Sequence, residues 1–233
     1  QNVATAGANA VLTIEMVPKV VDSSDKIKGM GGNYILANNF TSSSPIGTEE
    51  APFLGTIDGK FHQFSLTNPL VAYAKDATIR NVILDNATIS SRDTVGAIVC
   101  AASGNTRIYN CGILDGSVGG NVYVGGIVGL LEDTARVINC YSYATITGGE
   151  HVGGIVGYNK IGSTASNIQT MVMNCMFYGD ITGGGTISPV YGGEIIDNMV
   201  GGLNTFNYYA YEKLKTRPIT AGKYNCAQAV EER

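Results

Sequence analysis

The chain contains an internal repeat of about 29 residues, and two independent series of short motifs mark it. One series has the pattern Val-Gly-Gly-Ile-Val-Gly, which is complete at residues 124–129 and 152–157 and degenerate at residues 95–100 and 190–196. The other is an aliphatic-x-Asn unit, whose asparagines follow one another in steps of 29, 29 and 35 residues: Asn81, Asn110, Asn139 and Asn174. Two series with one period indicate a repeat architecture in which successive copies stack.

The pattern within each copy is typical of β-strands. Short β-branched runs are separated by Gly, Asn, Asp and Ser. A helical fold is excluded because no segment has an apolar stripe of helical period, and each of the frequent glycines would cost a helix about 1 kcal/mol. The sequence therefore predicts an all-β fold, a right-handed parallel β-helix of stacked repeats with capping segments at both ends. The expected divisions are residues 1–52 for the N-terminal cap and leading strands, 53–200 for the β-helix, and 201–233 for the C-terminal cap or a following segment.

Stacking places equivalent residues directly above one another and predicts three files of side chains at one bend. An aliphatic file should point inward: Ile79, Ile108, Val137 and Val172. The asparagines of the repeat should form a ladder, because asparagine tolerates a left-handed backbone and its amide can bond to the same amide in the next copy. The following file should also point inward: Val82, Cys111, Cys140 and Cys175. Free buried thiols are favoured over disulfides here, because stacked parallel side chains rarely meet at the required torsion.

The flanking segments predict further elements. A leading strand is expected at residues 32–40, and a strand, an Asp-Gly turn and a second strand at residues 53–66. Residues 11–21 are expected to form a capping strand, and residues 227–232 a short helix. The 35-residue step predicts a protruding loop at residues 160–167, where the sequence is polar and rich in glycine and serine.

Charge and motif content exclude several classes of function. The net charge is −4 without any basic run, so a nucleic-acid partner is not expected. The longest apolar runs, such as residues 125–131, are too short to span a membrane. The five cysteines lack metal-type spacing, and no phosphate-binding glycine pattern opens a helix, so neither a metal nor a cofactor is predicted. The chain begins without methionine and ends without a clear stop, which favours a piece of a longer protein.

The two motifs together carry a family resemblance. Val-Gly-Gly-Ile-Val-Gly followed by an aliphatic-x-Asn-Cys unit resembles the GLUG-motif repeats of large bacterial surface and secreted proteins. Residues 53–62, Phe-Leu-Gly-Thr-Ile-Asp-Gly-Lys-Phe-His, look like the F-x-G-T-F-D-G-x-x-H segment that often precedes such repeats. The resemblance covers about residues 32–193 and departs from the pattern at Cys100 and Glu194. It implies a β-helix, an extracellular or cell-surface location and an adhesin-like parent; it supplies no catalytic residues.

Recurring tyrosines favour a non-enzymatic surface module. Tyr143 and Tyr178 occupy the same position of the repeat, and an outward file of tyrosines would stack on sugar rings. The candidate ligand-binding residues are therefore the tyrosines around the repeats: Tyr109, Tyr123, Tyr141, Tyr143, Tyr158 and Tyr178. The module would bind a glycan or a host or bacterial surface protein, or would act as a spacer. The alternative for each ring is that it only covers the strands.

The competing hypothesis is a polysaccharide lyase or glycoside hydrolase. That chemistry needs converging carboxylates, or a base with nearby cations. The chain has two histidines: His62 is expected to make a structural hydrogen bond, and His151 is expected to face solvent. The candidate acids do not cluster in the sequence: Asp58, Asp85, Asp115 and Asp180. The sequence therefore predicts no catalytic residues.

Overall fold

The computed structural model describes residues 17–28, 30–91, 93–160, 170–188, 191–192, 207–210 and 227–230. These residues contain β-strands and one short 3-10 helix, Ser24–Lys26. The strands as far as the second repeat are β1 (Lys19–Ser23), β2 (Asn33–Thr41), β3 (Thr56–Asp58), β4 (Gln63–Leu66), β5 (Val71–Lys75), β6 (Thr78–Arg80), β7 (Ile83–Ser90), β8 (Thr94–Gly96), β9 (Val99–Ser103), β10 (Arg107–Tyr109), β11 (Gly112–Ile113) and β12 (Gly116–Gly119). The remaining strands are β13 (Tyr123–Gly125), β14 (Val128–Leu131), β15 (Arg136–Ile138), β16 (Tyr141–Ser142), β17 (Thr145–Gly148), β18 (His151–Gly153), β19 (Val156–Asn159), β20 (Met171–Met173), β21 (Met176–Phe177), β22 (Ile181–Gly183), β23 (Thr186–Ser188), β24 (Tyr191–Gly192), β25 (Asn207–Ala210) and β26 (Ala227–Val230).

The strands form four sheets. Sheet A has the order β1-β2-β3-β6-β10-β15-β20, sheet B the order β24-β19-β14-β9-β5, and sheet D the order β23-β18-β13-β8. Sheet C runs β22-β17-β12-β7-β11-β16-β21-β25-β26; β4 also pairs with β7, whose two halves pair with β11 and β12. Each ladder between these strands is parallel, and neighbouring strands come from successive repeats. The prediction of an all-β fold with parallel strands is confirmed.

The register of the sheets follows the repeat. In sheet A the inward aliphatic residues pair across four strands, in the order Ile79, Ile108, Val137 and Val172. All four side chains are fully buried, as are those of the file that follows the asparagines. Both files face inward because the asparagine between them has a left-handed backbone, which resets the alternation of the strand.

A second corner depends on glycine. Where sheet D meets sheet B, the backbone of one repeat lies directly against that of the next. A Cβ atom on Gly157 would lie 2.6 Å from the carbonyl oxygen of Gly129 and 2.7 Å from the carbonyl carbon of Tyr123. The glycines of Val-Gly-Gly-Ile-Val-Gly are therefore required by the close approach of two strands.

The described cysteines are free, as expected. Cys111, Cys140 and Cys175 are fully buried in the core, and Cys100 is nearly so. Burial raises the pKa of the Cys140 and Cys175 thiols well above the ordinary value, so both behave as small apolar side chains.

The flanking elements agree with the sequence in part. The leading strand is β2, and residues 53–66 contain β3 and β4, which lie in different sheets, so the Asp-Gly turn between them makes a corner. Of the expected capping strand, residues 19–21 lie in β1, which pairs with β2, while residues 11–16 are outside the described part of the chain. The expected loop at residues 160–167, apart from Lys160, and Glu194 are also outside it.

The expected helix at residues 227–232 is wrong. Ala227–Val230 is strand β26, which pairs in parallel with β25 and extends sheet C. A helix of six residues is unstable alone in water, whereas a strand beside an existing sheet edge has its backbone groups bonded at once. Among the residues that the structure describes, no helix is long and apolar enough to cross a membrane.

Candidate functional site

The six tyrosines of the sequence analysis lie on three separate surfaces. Tyr141, Tyr143 and Tyr178 meet on the outer face of sheet C. Tyr123 and Tyr158 stack on each other where sheet D meets sheet B. Tyr109 lies on sheet A, where its hydroxyl accepts a hydrogen bond from Arg80. No single file contains them, because they occupy different positions of the repeat.

The first surface, which we name the tyrosine platform, consists of Leu114, Tyr141, Tyr143, Met176 and Tyr178. Tyr141 pairs with Gly112 in the preceding repeat, and its ring lies where a side chain on Gly112 would be. The Tyr143 ring lies 5.2 Å from the Tyr178 ring and 6.0 Å, edge to face, from the Tyr141 ring. Leu114 and Tyr143 are each 40% exposed and Met176 is 36% exposed. The platform is thus an exposed aromatic and apolar strip that crosses three repeats.

The asparagine ladder runs along one side of the platform. The amide of Asn174 donates to Asn139 (2.7 Å), that of Asn139 to Asn110 (3.3 Å), and that of Asn110 to Asn81 (3.2 Å). A carboxamide has two N–H groups and two lone pairs, and the ladder uses one of each per residue inside it. A shallow depression of about 490 Å³ lies between ladder and platform, lined by Phe61, Gln63, Ile83, Asn110, Leu114, Asn139 and Tyr141. Amide groups and aromatic rings therefore border one surface.

Asp58 ends the ladder. Its carboxylate accepts from the amide of Asn81 (2.9 Å), from the backbone N–H of Lys60 (2.9 Å) and from Arg80 Nε (3.1 Å). Burial raises the pKa of Asp58, but the hydrogen bonds from Asn81 and Lys60 and the charge of Arg80 outweigh it and hold this pKa below the ordinary 3.8. All four amides thus point along one direction towards an anion, an arrangement in which each bond polarises the next.

The second surface is an aromatic cluster of Tyr123, His151 and Tyr158. The two tyrosine rings stack at 4.8 Å, and the His151 ring lies 4.7 Å from Tyr158 and 5.5 Å from Tyr123. The expectation that His151 faces solvent is wrong: the residue is half-buried, and its buried Nδ1 finds no partner among the described residues. The glycine corner brings the outer faces of sheets B and D together, so rings from both sheets cover the imidazole.

A polar groove of about 750 Å³ was not predicted. It lies beside β8, the edge strand of sheet D. Residues 67–70 alone connect β4 to β5, whereas the equivalent connection one repeat later, residues 88–98, is longer and includes β8. The shorter connection therefore provides no strand to pair with β8 on this side. Cys100 takes the place of the closing glycine of the motif, and its side chain, which is 9% exposed, reaches the groove. Desolvation raises the pKa of this thiol to about 11. The short connection and the Cys100 departure were the sequence signals for this groove.

Four of the six groups considered for catalysis have local hydrogen-bond partners: Asp58, His62, Asp85 and Asp115. His62 Nδ1 lies 3.2 Å from the carbonyl oxygen of Leu36, which agrees with the expected structural hydrogen bond. Asp85 accepts a hydrogen bond from the Ser65 hydroxyl (2.7 Å), and Asp115 accepts one from the backbone N–H of Gly116 (2.7 Å). In the described part of the chain no group of three or more His, Cys, Asp or Glu side chains is placed to hold a metal ion.

The segments that this chain matches are small parts of much larger proteins. It is 27% identical over 146 residues to an immunoglobulin A1 protease of Streptococcus pneumoniae serotype 4, an alignment that covers 54% of this chain and 7% of that protein. It is 28% identical over 142 residues to an immunoglobulin A1 protease of Streptococcus sanguinis, covering 57% of this chain and 8% of that protein. The chain thus matches less than a tenth of the length of either relative.

Two further comparisons concern the fold and the repeat. A solved structure of an IgA1 protease matches 91% of this chain and 19% of its own with a TM-score of 0.52 at 16% identity, which indicates a similar fold. The family model of the GLUG motif matches residues 120–147, which begin directly after β12 and include most of β17. The resemblance drawn from the sequence is therefore confirmed: residues 120–147 are a GLUG motif.

Proposed function

We propose that this chain is a non-catalytic, extracellular module of an adhesin-like bacterial surface protein and that its tyrosine platform binds a glycan. The observation that supports glycan binding is the exposed strip of Tyr141, Tyr143 and Tyr178 beside the amides of the ladder. Tyrosine rings stack on the apolar face of a sugar, and the remaining amide N–H groups and lone pairs suit its hydroxyl groups. The GLUG motif and the relatives support a module inside a larger protein.

We also propose that the four sheets are the faces of a right-handed β-helix, with residues 53–200 as its body. Equivalent strands of successive repeats pair in parallel in every sheet, as coils of a solenoid would. Connections between parallel strands of one sheet are right-handed in about 98% of cases. An experimental structure in which the chain winds left-handed would refute this assignment.

A protein partner is the second candidate for the platform. Leu114 and Met176 are apolar and exposed, and Phe61 beside them is 59% exposed. Methionine and aromatic residues are enriched at the centre of protein interfaces. A spacer without any ligand is the third candidate and would leave the platform unused.

Screening the purified chain on a broad glycan array tests the proposal. Specific binding should weaken by about tenfold in Tyr143→Ala, because the stacked ring is lost, and much less in Tyr143→Phe, which keeps it. Thr145→Ala, an exposed position elsewhere on sheet C, should bind like the parent chain.

The results separate the hypotheses. Binding that survives in Tyr143→Ala, or no binding across the array, would contradict recognition through the platform and favour a protein partner or a spacer. Release of reducing ends or unsaturated products from a polysaccharide would contradict the non-catalytic assignment.

A further inference from the structure

We propose that the outer face of sheet A is a second binding site, which takes an acidic polysaccharide through carboxylate or sulfate groups. The site consists of Lys60, Arg80, Arg107 and Arg136, with the hydroxyl of Tyr109 among them, and we name it the basic strip. It is a different surface from the tyrosine platform and does not depend on the platform binding a glycan.

The strip arises from the repeat. Arg107 and Arg136 each lie three residues before a ladder asparagine, and they pair with each other in sheet A. The preceding strand has Thr78 paired with Arg107, and Arg80 follows two residues later on the same face. The arginines are therefore far apart in the sequence but about 4.8 Å apart from strand to strand.

The side chains point away from the core. In β10 and β15 the buried residue is the central aliphatic one, which places Arg107 and Arg136 on the outer face, where Arg107 is exposed and Arg136 half-buried. Neither arginine forms a salt bridge with any described residue. Both guanidinium groups can therefore serve a ligand.

Arg80 and Lys60 extend the strip and are held in place. Arg80 contacts Asp58 through Nε and Nη2, and its Nη1 donates to the hydroxyl of Tyr109 (3.1 Å). Lys60 Nζ lies 3.2 Å from the Asp58 carboxylate. These groups border an open depression of about 340 Å³ that Asn33 and Thr56 also line. A preorganised guanidinium loses less freedom when an anion binds it.

The four cations of the basic strip and the single carboxylate of Asp58 among them add to a formal charge of +3, in a chain whose net charge is −4. Two further carboxylates, Asp76 and Asp133, belong to the corner that precedes the strip: Asp76 accepts from the backbone N–H of Asn105 there, and Asp133 accepts from that of Gly104. The basic strip thus carries a net positive charge of its own.

The chemistry of the strip selects the ligand class. Planar guanidinium groups bind carboxylate and sulfate with two parallel hydrogen bonds, and a row of them suits a polymer with regularly spaced anions. A neutral glycan would leave these charges without counter-ions. A nucleic acid is disfavoured because its affinity depends on neutralising many phosphates, and the strip has only four cations.

Binding of the full chain to immobilised heparin, polygalacturonate, neutral dextran and duplex DNA at several salt concentrations tests the proposal. We expect binding to heparin, polygalacturonate or both, falling as salt rises, and none to dextran. Removing both arginines (Arg107→Gln with Arg136→Gln) should weaken it by about tenfold for each arginine. The matched control, Lys75→Gln with Lys160→Gln, removes two charges from another surface and should bind like the parent chain.

Further variants keep the test decisive. Arg107→Lys with Arg136→Lys keeps the charge, and its affinity should lie between that of the parent chain and that of the double glutamine variant. Circular dichroism should show that all variants are folded. Heparin binding alone would assign sulfate, and binding to both polymers would assign any anionic glycan. Absence of polyanion binding, equal loss in the lysine control, tighter binding to DNA, or loss in Tyr143→Ala would overturn the proposal. The last result would leave the platform as the binding surface.

Discussion

Replacing Asn139 by alanine measures how much this asparagine contributes to the free energy of unfolding through its place in the ladder corner. Its amide bonds to Asn110 and Asn174, and its backbone φ is 54°. That conformation costs an ordinary L-residue about 1–2 kcal/mol. The side chain is exposed, so each of the two hydrogen bonds contributes at the low end of the usual range, about 0.5 kcal/mol. Asn139→Ala should therefore lower the free energy of unfolding by about 2–3 kcal/mol.

Asn139→Gly separates the two contributions. Glycine adopts the left-handed backbone without strain, but it loses both hydrogen bonds and more conformational entropy on folding, about 0.5–1 kcal/mol. The glycine variant should therefore lose about 1.5–2 kcal/mol, less than the alanine variant.

Urea unfolding followed by far-ultraviolet circular dichroism provides the measurement, since the chain contains no tryptophan. The shift of the midpoint at unchanged slope gives the difference in the free energy of unfolding. If Asn139→Ala lost less than about 1 kcal/mol, or if it were more stable than Asn139→Gly, the left-handed backbone would not be the reason for asparagine at this corner.

Three further predictions follow. The ionised Asp58 stabilises the fold, because its pKa is lower in the folded chain than the unfolded-state value of about 3.9. This contribution is complete above the unfolded-state pKa and is lost as pH falls through the folded-state pKa. Asp58→Asn should therefore flatten the loss of thermal stability between pH 5 and pH 3. Gly157→Ala should cost about 1–3 kcal/mol in urea unfolding, because the methyl group meets backbone, whereas Gly119→Ala, with nothing within 3.9 Å, should be tolerated. Iodoacetamide should alkylate Cys100, slowly because of its raised pKa, and leave Cys140 unmodified in the folded chain when peptides are measured by mass spectrometry.

The backbone framework could be predicted because two residue types have narrow conformational roles. Asparagine at a fixed spacing indicates a left-handed corner, and the alternation around it defines which side chains point inward, as Ile108 and Cys111 do. The glycines indicate close contact of strands, although the sequence does not tell which strand approaches. Gly129 approaches a strand of the preceding repeat, a contact that depends on how the two sheets meet.

The surfaces could not be predicted to the same extent. The six tyrosines predicted as ligand-binding residues lie on different faces, because positions such as those of Tyr123 and Tyr143 differ within the repeat. His151 was expected in solvent because a polar residue before a strand usually is, but rings of two sheets cover it. The basic strip forms no run of charge in the sequence, because its cations, such as Arg107 and Arg136, lie one period apart and meet only when the repeats stack.

The difference between fixed inward positions and free outward positions explains how one repeat can carry several chemically different surfaces. The inward files and the two corners fix the register, so each outward position becomes a column along the sheet. In sheet A one column reads Thr78, Arg107, Arg136 and Met171, while in sheet C the residues that follow Ile113, Ser142 and Phe177 are Leu114, Tyr143 and Tyr178. Substituting an outward residue leaves the core files and both corners intact. Chemistry can therefore change along a column at little cost in stability, and binding specificity is to be sought in columns whose residues differ from one repeat to the next.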